Sequence, residues 1–146
     1  MDKDAALIEK AISVALGAHK GQFDRSGKAY ILHPLRVMGQ FLDTDACLVG
    51  ILHDVVEDSD LTFNDLLEQG FPARIVEAIK CLTHPKEEAW MDYIERIGQN
   101  PLATRVKLAD LQDNLNLRRL GHLQEKDLDR YNRYLQAWKY LSDLKP

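Results

Sequence analysis

The chain has 146 residues, 45% hydrophobic and 29% charged, which is the balance of one ordinary globular domain. Its net charge of −4, with no lysine or arginine tract, argues against a nucleic-acid polymer as partner. The start M-D-K-D-A-A-L-I-E-K lacks a signal-peptide shape, and no apolar run approaches the ~20 residues of a membrane helix, so no membrane association and a cytoplasmic setting are expected. Cys47 and Cys81 sit far apart among aliphatic neighbours and read as two reduced core thiols.

In chain order the pattern is helical throughout. Ile8, Ala11, Ile12, Ala15 and Leu16 recur at helical spacing between Lys3 and His19, with Gly21 as the stop. Residues 22–31 form a polar loop. His33-Pro34 opens the next helix, which ends near Leu42, and Asp43, Thr44 and Asp45 offer caps for the one after it. Thr62 with Asp65 three residues on approximates a capping box, and Gly70 ends that short helix. Pro72 starts a helix to about Leu82. Trp90, Tyr93, Ile94 and Ile97 mark another, ending at Gly98. Pro101 starts the next, closed by Gly121. In the last helix Leu128, Tyr131, Leu135, Trp138 and Leu141 form an apolar stripe that predicts plain packing. The expectation is an all-α fold, a single compact multi-helix domain over residues 1–146.

The centre of the pattern is Ala46 to Asp58, A-C-L-V-G-I-L-H-D-V-V-E-D. Read as one helix at ~3.6 residues per turn, it puts His53 a turn below Glu57 and Asp54 a turn below Asp58. Two carboxylates ~4 Å apart cost about 4 kcal/mol at an effective dielectric of ~20. Either a cation offsets that repulsion, with His53 beside it making a metal ion the economical choice, or the helix simply reaches solvent at Glu57. A second clue is V-K-L-A-D-L-Q-D-N-L from Val106, where Asp110 and Asn114 share a face; an amphipathic helix with a solvated side would look the same. A third is His33, which before a proline fits a helix cap as well as a ligand. Lys107, three residues before Asp110, fits either a phosphate contact or a surface salt bridge.

Taken together, H…H-D…D in this order on three helices resembles the HD superfamily of metal-dependent phosphohydrolases. More narrowly, A-H-K-G-Q-F-D-R-S-G-K-A-Y-I-L-H-P-L-R-V (18–37), G-I-L-H-D-V-V-E-D and V-K-L-A-D resemble the hydrolase domain of the RelA/SpoT family, which removes the 3′-pyrophosphate of (p)ppGpp. The resemblance implies that His33, His53, Asp54 and Asp110 hold one divalent metal ion, usually Mn²⁺. Two imidazoles and two carboxylates also suit Fe²⁺ or Zn²⁺. It implies that Glu57 and Asp58 are the catalytic pair, positioning or deprotonating a water. Arg25, Ser26 and Asn114 match substrate-contact positions. The partner implied is a small-molecule nucleotide, and the length leaves no room for a separate synthetase domain.

The chain also departs from the family pattern. Asp24 stands where a basic residue is usual, Lys28 where an acid is usual, and Leu111 and Asp113 where the family has a basic residue and His or Tyr. A carboxylate at position 24 would repel a polyphosphate. The sequence therefore points first to an enzyme releasing pyrophosphate from (p)ppGpp. The alternatives are an HD phosphatase for another small substrate, such as a nucleoside monophosphate, and a low-turnover metal- or nucleotide-binding HD domain.

Overall fold

The computed structural model describes residues 2–144, and among them nine α-helices and two 3-10 turns form, with no strand beyond one isolated bridge between Phe23 and Ala29. The helix at the centre is α3 (Thr44–Leu52). Leu48 to Leu52 are all buried, so it is apolar around its whole circumference and must be enclosed. It is enclosed by α1 (Lys3–Ala18), α2 (Leu32–Met38), α6 (Ala73–Leu82) and α8 (Pro101–Asn114). Asp43 starts α3 by accepting from the Ala46 N–H, one of the orphan donors of a helix start. No helix among the described residues is long and apolar enough to cross a membrane.

The expected single helix over 46–58 is instead two. After α3 the chain turns at His53-Asp54 and resumes as one turn, α4 (Val55–Asp58). The cause is local. His53 Nδ1 lies 2.6 Å from the Gly50 carbonyl, the group that an unbroken helix would pair with the Asp54 N–H. Asp54 then takes φ −107° and ψ 0°, the bridge region that active-site residues often occupy.

Two other boundaries and the buried face of one helix differ from the sequence reading. The second helix stops at Met38 rather than Leu42, because Gly39 and the turns from Gln40 to Val37 and Phe41 to Met38 end it; Leu42 is fully exposed. The helix from Pro101 ends at Asn114, well before Gly121. There the Asp113 carbonyl accepts from the Asn116 N–H at 3.2 Å in a turn and from Arg119 at 2.9 Å. In α9 (Leu128–Ser142) the buried face is Tyr131, Ala137 and Leu141, while Leu128 and Leu135 are each 54% exposed. The helix is rolled so that Tyr131 and Tyr134, not the two leucines, pack inward towards a cavity.

The rest follows the sequence. The capping box at Thr62 and Asp65 opens α5 (Phe63–Glu68), and Gly70 adopts φ +97° just beyond it, a conformation only glycine takes freely. Helix α7 (Trp90–Ile97) closes one side against α6, α8 and α9. Cys47 and Cys81 are free thiols.

Candidate metal centre and nucleotide pocket

Helix α2 brings His33, the turn after α3 brings His53 and Asp54, and α8 brings Asp110. One ligand atom from each lies within 4.8 Å of all the others. His33 Nε2 is 2.8 Å from Asp110 Oδ1, and His53 Nε2 is 3.0 Å from Asp54 Oδ2 and 3.3 Å from Asp110 Oδ1. The kink explains the convergence, since it aims two adjacent residues at one point. His53 Nε2 is fully buried with no aligned hydrogen-bond partner. A buried polar atom without a partner is costly, and here it faces two carboxylates, which is the environment a cation satisfies. Two nitrogens and two oxygens fit a first-row divalent metal.

The electrostatics agree. Burial alone would lower the His53 pKa, yet the Asp54 and Asp110 carboxylates raise it well above the usual value. Burial pushes Asp110 up, but Lys107 and the two histidines hold it well below the ordinary range. The field that favours a proton on His53 equally favours a divalent ion, and the two compete for the same nitrogen.

Each of these ligand groups has a supporting partner that sequence reading did not assign. Asp113 Oδ2 is 2.6 Å from His33 Nδ1, so its carboxylate sets which ring nitrogen carries the proton and turns Nε2 inward. The same carboxylate accepts from Arg36 Nε at 2.7 Å and pairs with Arg119 at 3.3 Å. Tyr30 donates its hydroxyl to Asp54 Oδ2. Lys107 is buried, with Nζ 2.9 Å from Asp110 Oδ2 and 5.3 Å from the Tyr93 ring centre, so its salt bridge is a buried one and not a surface one. Asn114 donates to Asp110 Oδ1 at 3.2 Å. The only signals in the sequence were helical spacings from Asp110, three residues to Lys107 and four to Asn114; Tyr30 and Asp113 lie far along the chain from the residues they support.

Glu57 and Asp58 lie on α4. Glu57 accepts from the His84 N–H at 2.8 Å and is exposed. Burial, then the charges of Asp54 and Glu57, push the Asp58 carboxyl up to about 6. Its side chain borders a groove beside α1, whereas its carbonyl accepts from Gln22 at 2.8 Å. His84 stacks on Tyr93 at 4.4 Å with Nε2 on the Glu88 carbonyl, a packed aromatic and not a ligand group. His19 is buried beside Tyr30 with Nδ1 2.9 Å from Gln22 Oε1, and its Nε2 is buried without a partner.

Against the cluster lies a cavity of about 250 Å³ that His33 and Tyr30 help to line. Arg25, Ser26 and Asn114 all face it, together with Arg36, Arg119 and Arg130 and the rings of Tyr131 and Tyr134. Asp24 is in the wall too, but its Oδ1 accepts from Ser26 N, Ser26 Oγ and Lys28 N. It organises its own loop as an Asx-type turn. Leu111 is completely buried in the core and does not reach the cavity.

No family model matches the chain. It is 31% identical over 140 residues, 86% of its length, to a GTP pyrophosphokinase of Myxococcus xanthus. It is 32% identical over 126 residues, 76% of its length, to a guanosine-3′,5′-bis(diphosphate) 3′-pyrophosphohydrolase of Haemophilus influenzae. It is 39% identical over 140 residues, 82% of its length, to a putative chloroplastic GTP diphosphokinase of Oryza sativa. The chain spans only 16–18% of these relatives. A solved structure, described as a metazoan ortholog of SpoT that hydrolyzes ppGpp, shares the fold with a TM-score of 0.77 at 23% identity, over 94% of this chain and 86% of that one. An all-helical frame carrying H…HD…D at one point, in a sequence this close to these relatives, leads to one assignment: the chain belongs to the RelA/SpoT family, aligned with its HD domain.

Proposed function

We propose that residues 1–146 form one HD-type hydrolase domain, a metal-dependent nucleotide phosphohydrolase whose best substrate is (p)ppGpp, from which it releases the 3′-pyrophosphate. The observation that carries this reading is the meeting of His33, His53, Asp54 and Asp110 beside a cavity walled by arginines and tyrosines. The names of the relatives support it, since the Haemophilus influenzae protein is a 3′-pyrophosphohydrolase of the same nucleotide. Those four residues would hold one divalent ion, with Mn²⁺ the first choice and Fe²⁺ or Zn²⁺ compatible with the donor set. Such an ion supplies Lewis acidity to a phosphate oxygen and acidifies a water.

The chain's own groups do the rest. Asp58, one turn beyond Asp54, would position or deprotonate a water. Burial, then Asp54 and Glu57, raise its carboxyl to about 6, and a cation at the four residues would draw it back down. Glu57, held by the His84 N–H, keeps its second oxygen for positioning. Asn114 spans the two halves of the site, donating to Asp110 while facing the cavity. Arg25 and Ser26 offer a guanidinium and a hydroxyl to the nucleotide. A small nucleotide rather than a polymer suits both the cavity and the net charge of −4. A cytoplasmic setting is supported by two free thiols, Cys47 and Cys81.

A second reading, a phosphatase for a smaller substrate such as a nucleoside monophosphate, draws on Asp24, a fixed negative charge in the cavity wall. One experiment separates the two. Metal-free protein is given Mn²⁺ and a nucleotide panel, with pyrophosphate and phosphate release followed separately. Pyrophosphate from (p)ppGpp is the expected result. Phosphate from monophosphates would favour the second reading, and no release from any nucleotide would leave only a binding domain.

A further inference from the structure

Four guanidinium groups line the cavity, and three of them are already engaged by the protein's own carboxylates. Arg25 pairs with Asp127, which is itself buried and also accepts from the Gln124 N–H at 2.9 Å. Arg36 and Arg119 share Asp113, the residue that supports His33. A phosphate that recruited any of these three would compete with a built-in anion, and at Asp113 it would also disturb the metal centre.

Arg130 is different. It sits near the start of α9, half-buried, and lines the cavity with the other arginines and the two tyrosines. Among the described residues it has no carboxylate partner, no carbonyl acceptor and no aromatic ring beneath it. Its neighbours on the same helix, Tyr131 and Tyr134, turn inward, and this is the roll that leaves Leu128 and Leu135 outside. A planar, permanently charged fork left unpaired in a cavity wall is suited to an anion arriving with the ligand.

We propose that Arg130 is the principal phosphate-reading residue of this pocket, the unpaired guanidinium that contacts a phosphate of the bound nucleotide, while Arg25 adds a weaker contact because it is shared with Asp127, and Arg36 and Arg119 hold Asp113 in place. This rests on the nucleotide reading of the same cavity. It assigns most of the anion recognition to the last helix rather than to the loop around Arg25, where Asp24 has replaced a positive charge. The Tyr131 and Tyr134 rings, set edge to face at 80°, add aromatic surface to the same wall.

The test measures equilibrium binding of GDP and of inorganic pyrophosphate to the Mn²⁺-loaded protein by calorimetry. Wild type is compared with Arg130→Gln, Arg130→Lys and Arg25→Gln, each checked for a native circular dichroism spectrum. Arg130→Gln should weaken GDP binding about tenfold, the loss of one charge-assisted contact, and Arg130→Lys should fall between. Mn²⁺ affinity should be unchanged in Arg130→Gln, and Arg25→Gln should lose less than Arg130→Gln. Binding of GDP by Arg130→Gln within twofold of wild type would overturn the proposal. So would a larger loss from Arg25→Gln, or a wild-type protein that binds neither probe. If GDP binding depends on Arg130 while no nucleotide is hydrolysed, the contact stands and the hydrolase reading falls.

Discussion

Replacing Lys107 by Met removes a cation held 2.9 Å from Asp110 Oδ2, with both side chains no more than 10% exposed. At an effective dielectric of ~20 that separation corresponds to about 6 kcal/mol of attraction. Part of it only offsets the desolvation of the ammonium, so the net loss on truncation should be about 3–5 kcal/mol, the cost of stranding a buried carboxylate. A second pair, between Arg105 on the same helix and Asp43 at the start of α3, is the control. Arg105 and Asp43 are as close, 2.7 Å, but 51% and 45% exposed, and Arg105→Gln should cost under about 0.5 kcal/mol. Urea unfolding in EDTA gives both values under one set of conditions. Burial would lower the Lys107 pKa, but Asp110 outweighs it and raises it. The stabilisation is therefore full below the ordinary lysine pKa of about 10.4 and lost only as pH rises beyond it, so the Met deficit should be constant from about pH 6 to about pH 9. A Met variant within about 1 kcal/mol of wild type, or a control that loses as much, would refute the reasoning.

Asp54→Ala removes one of four converging ligand groups and should abolish both Mn²⁺ binding by calorimetry and turnover; an undiminished rate would sink the assignment. Burial raises the Asp113 carboxyl, but His33 and Arg36 hold it below the usual carboxylate range, so its contribution is present above about pH 4 and lost as pH falls. In EDTA, Asp113→Asn should be less stable than wild type at neutral pH by roughly 1–3 kcal/mol, with a gap that narrows in acid, as thermal unfolding at several pH values would report. A Cβ at Gly50 would lie 3.2 Å from both the Cα and N of Met38, backbone atoms that cannot swing aside. Gly50→Val should therefore cost about 1–3 kcal/mol in urea unfolding, and weaken Mn²⁺ binding because it displaces the helix that carries His33.

Sequence reading located helix ends well at Asp43, Thr62 and Gly98 but not at Gly121, which lies beyond the true end at Asn114. Asp43, Thr62 and Gly98 stop or start their helices through bonds that involve near neighbours, so their effect is visible in a short window. The four residues that converge, His33, His53, Asp54 and Asp110, were singled out through spacing together with resemblance. The break at His53 was missed because it depends on where an imidazole points, and periodicity is blind to a side chain that takes a backbone acceptor. The role of Asp113 was missed for another reason: its histidine is 80 positions away, and only the packing of α8 on α2 unites them. Asp24 read as a repulsive charge because its partners, backbone N–H groups two and four residues on, have no letter of their own.

The bond from His53 to the Gly50 carbonyl has a consequence for how the protein acquires an ion. The ring is pinned by the main chain of the helix before it and is buried, and so its aim is decided when the chain collapses. Little ordering is left to be done on metal capture, which keeps that entropy out of the affinity. Stripping the ion with a chelator should then yield an intact, readily reloaded protein, unlike the small zinc domains that unravel when their metal is withdrawn.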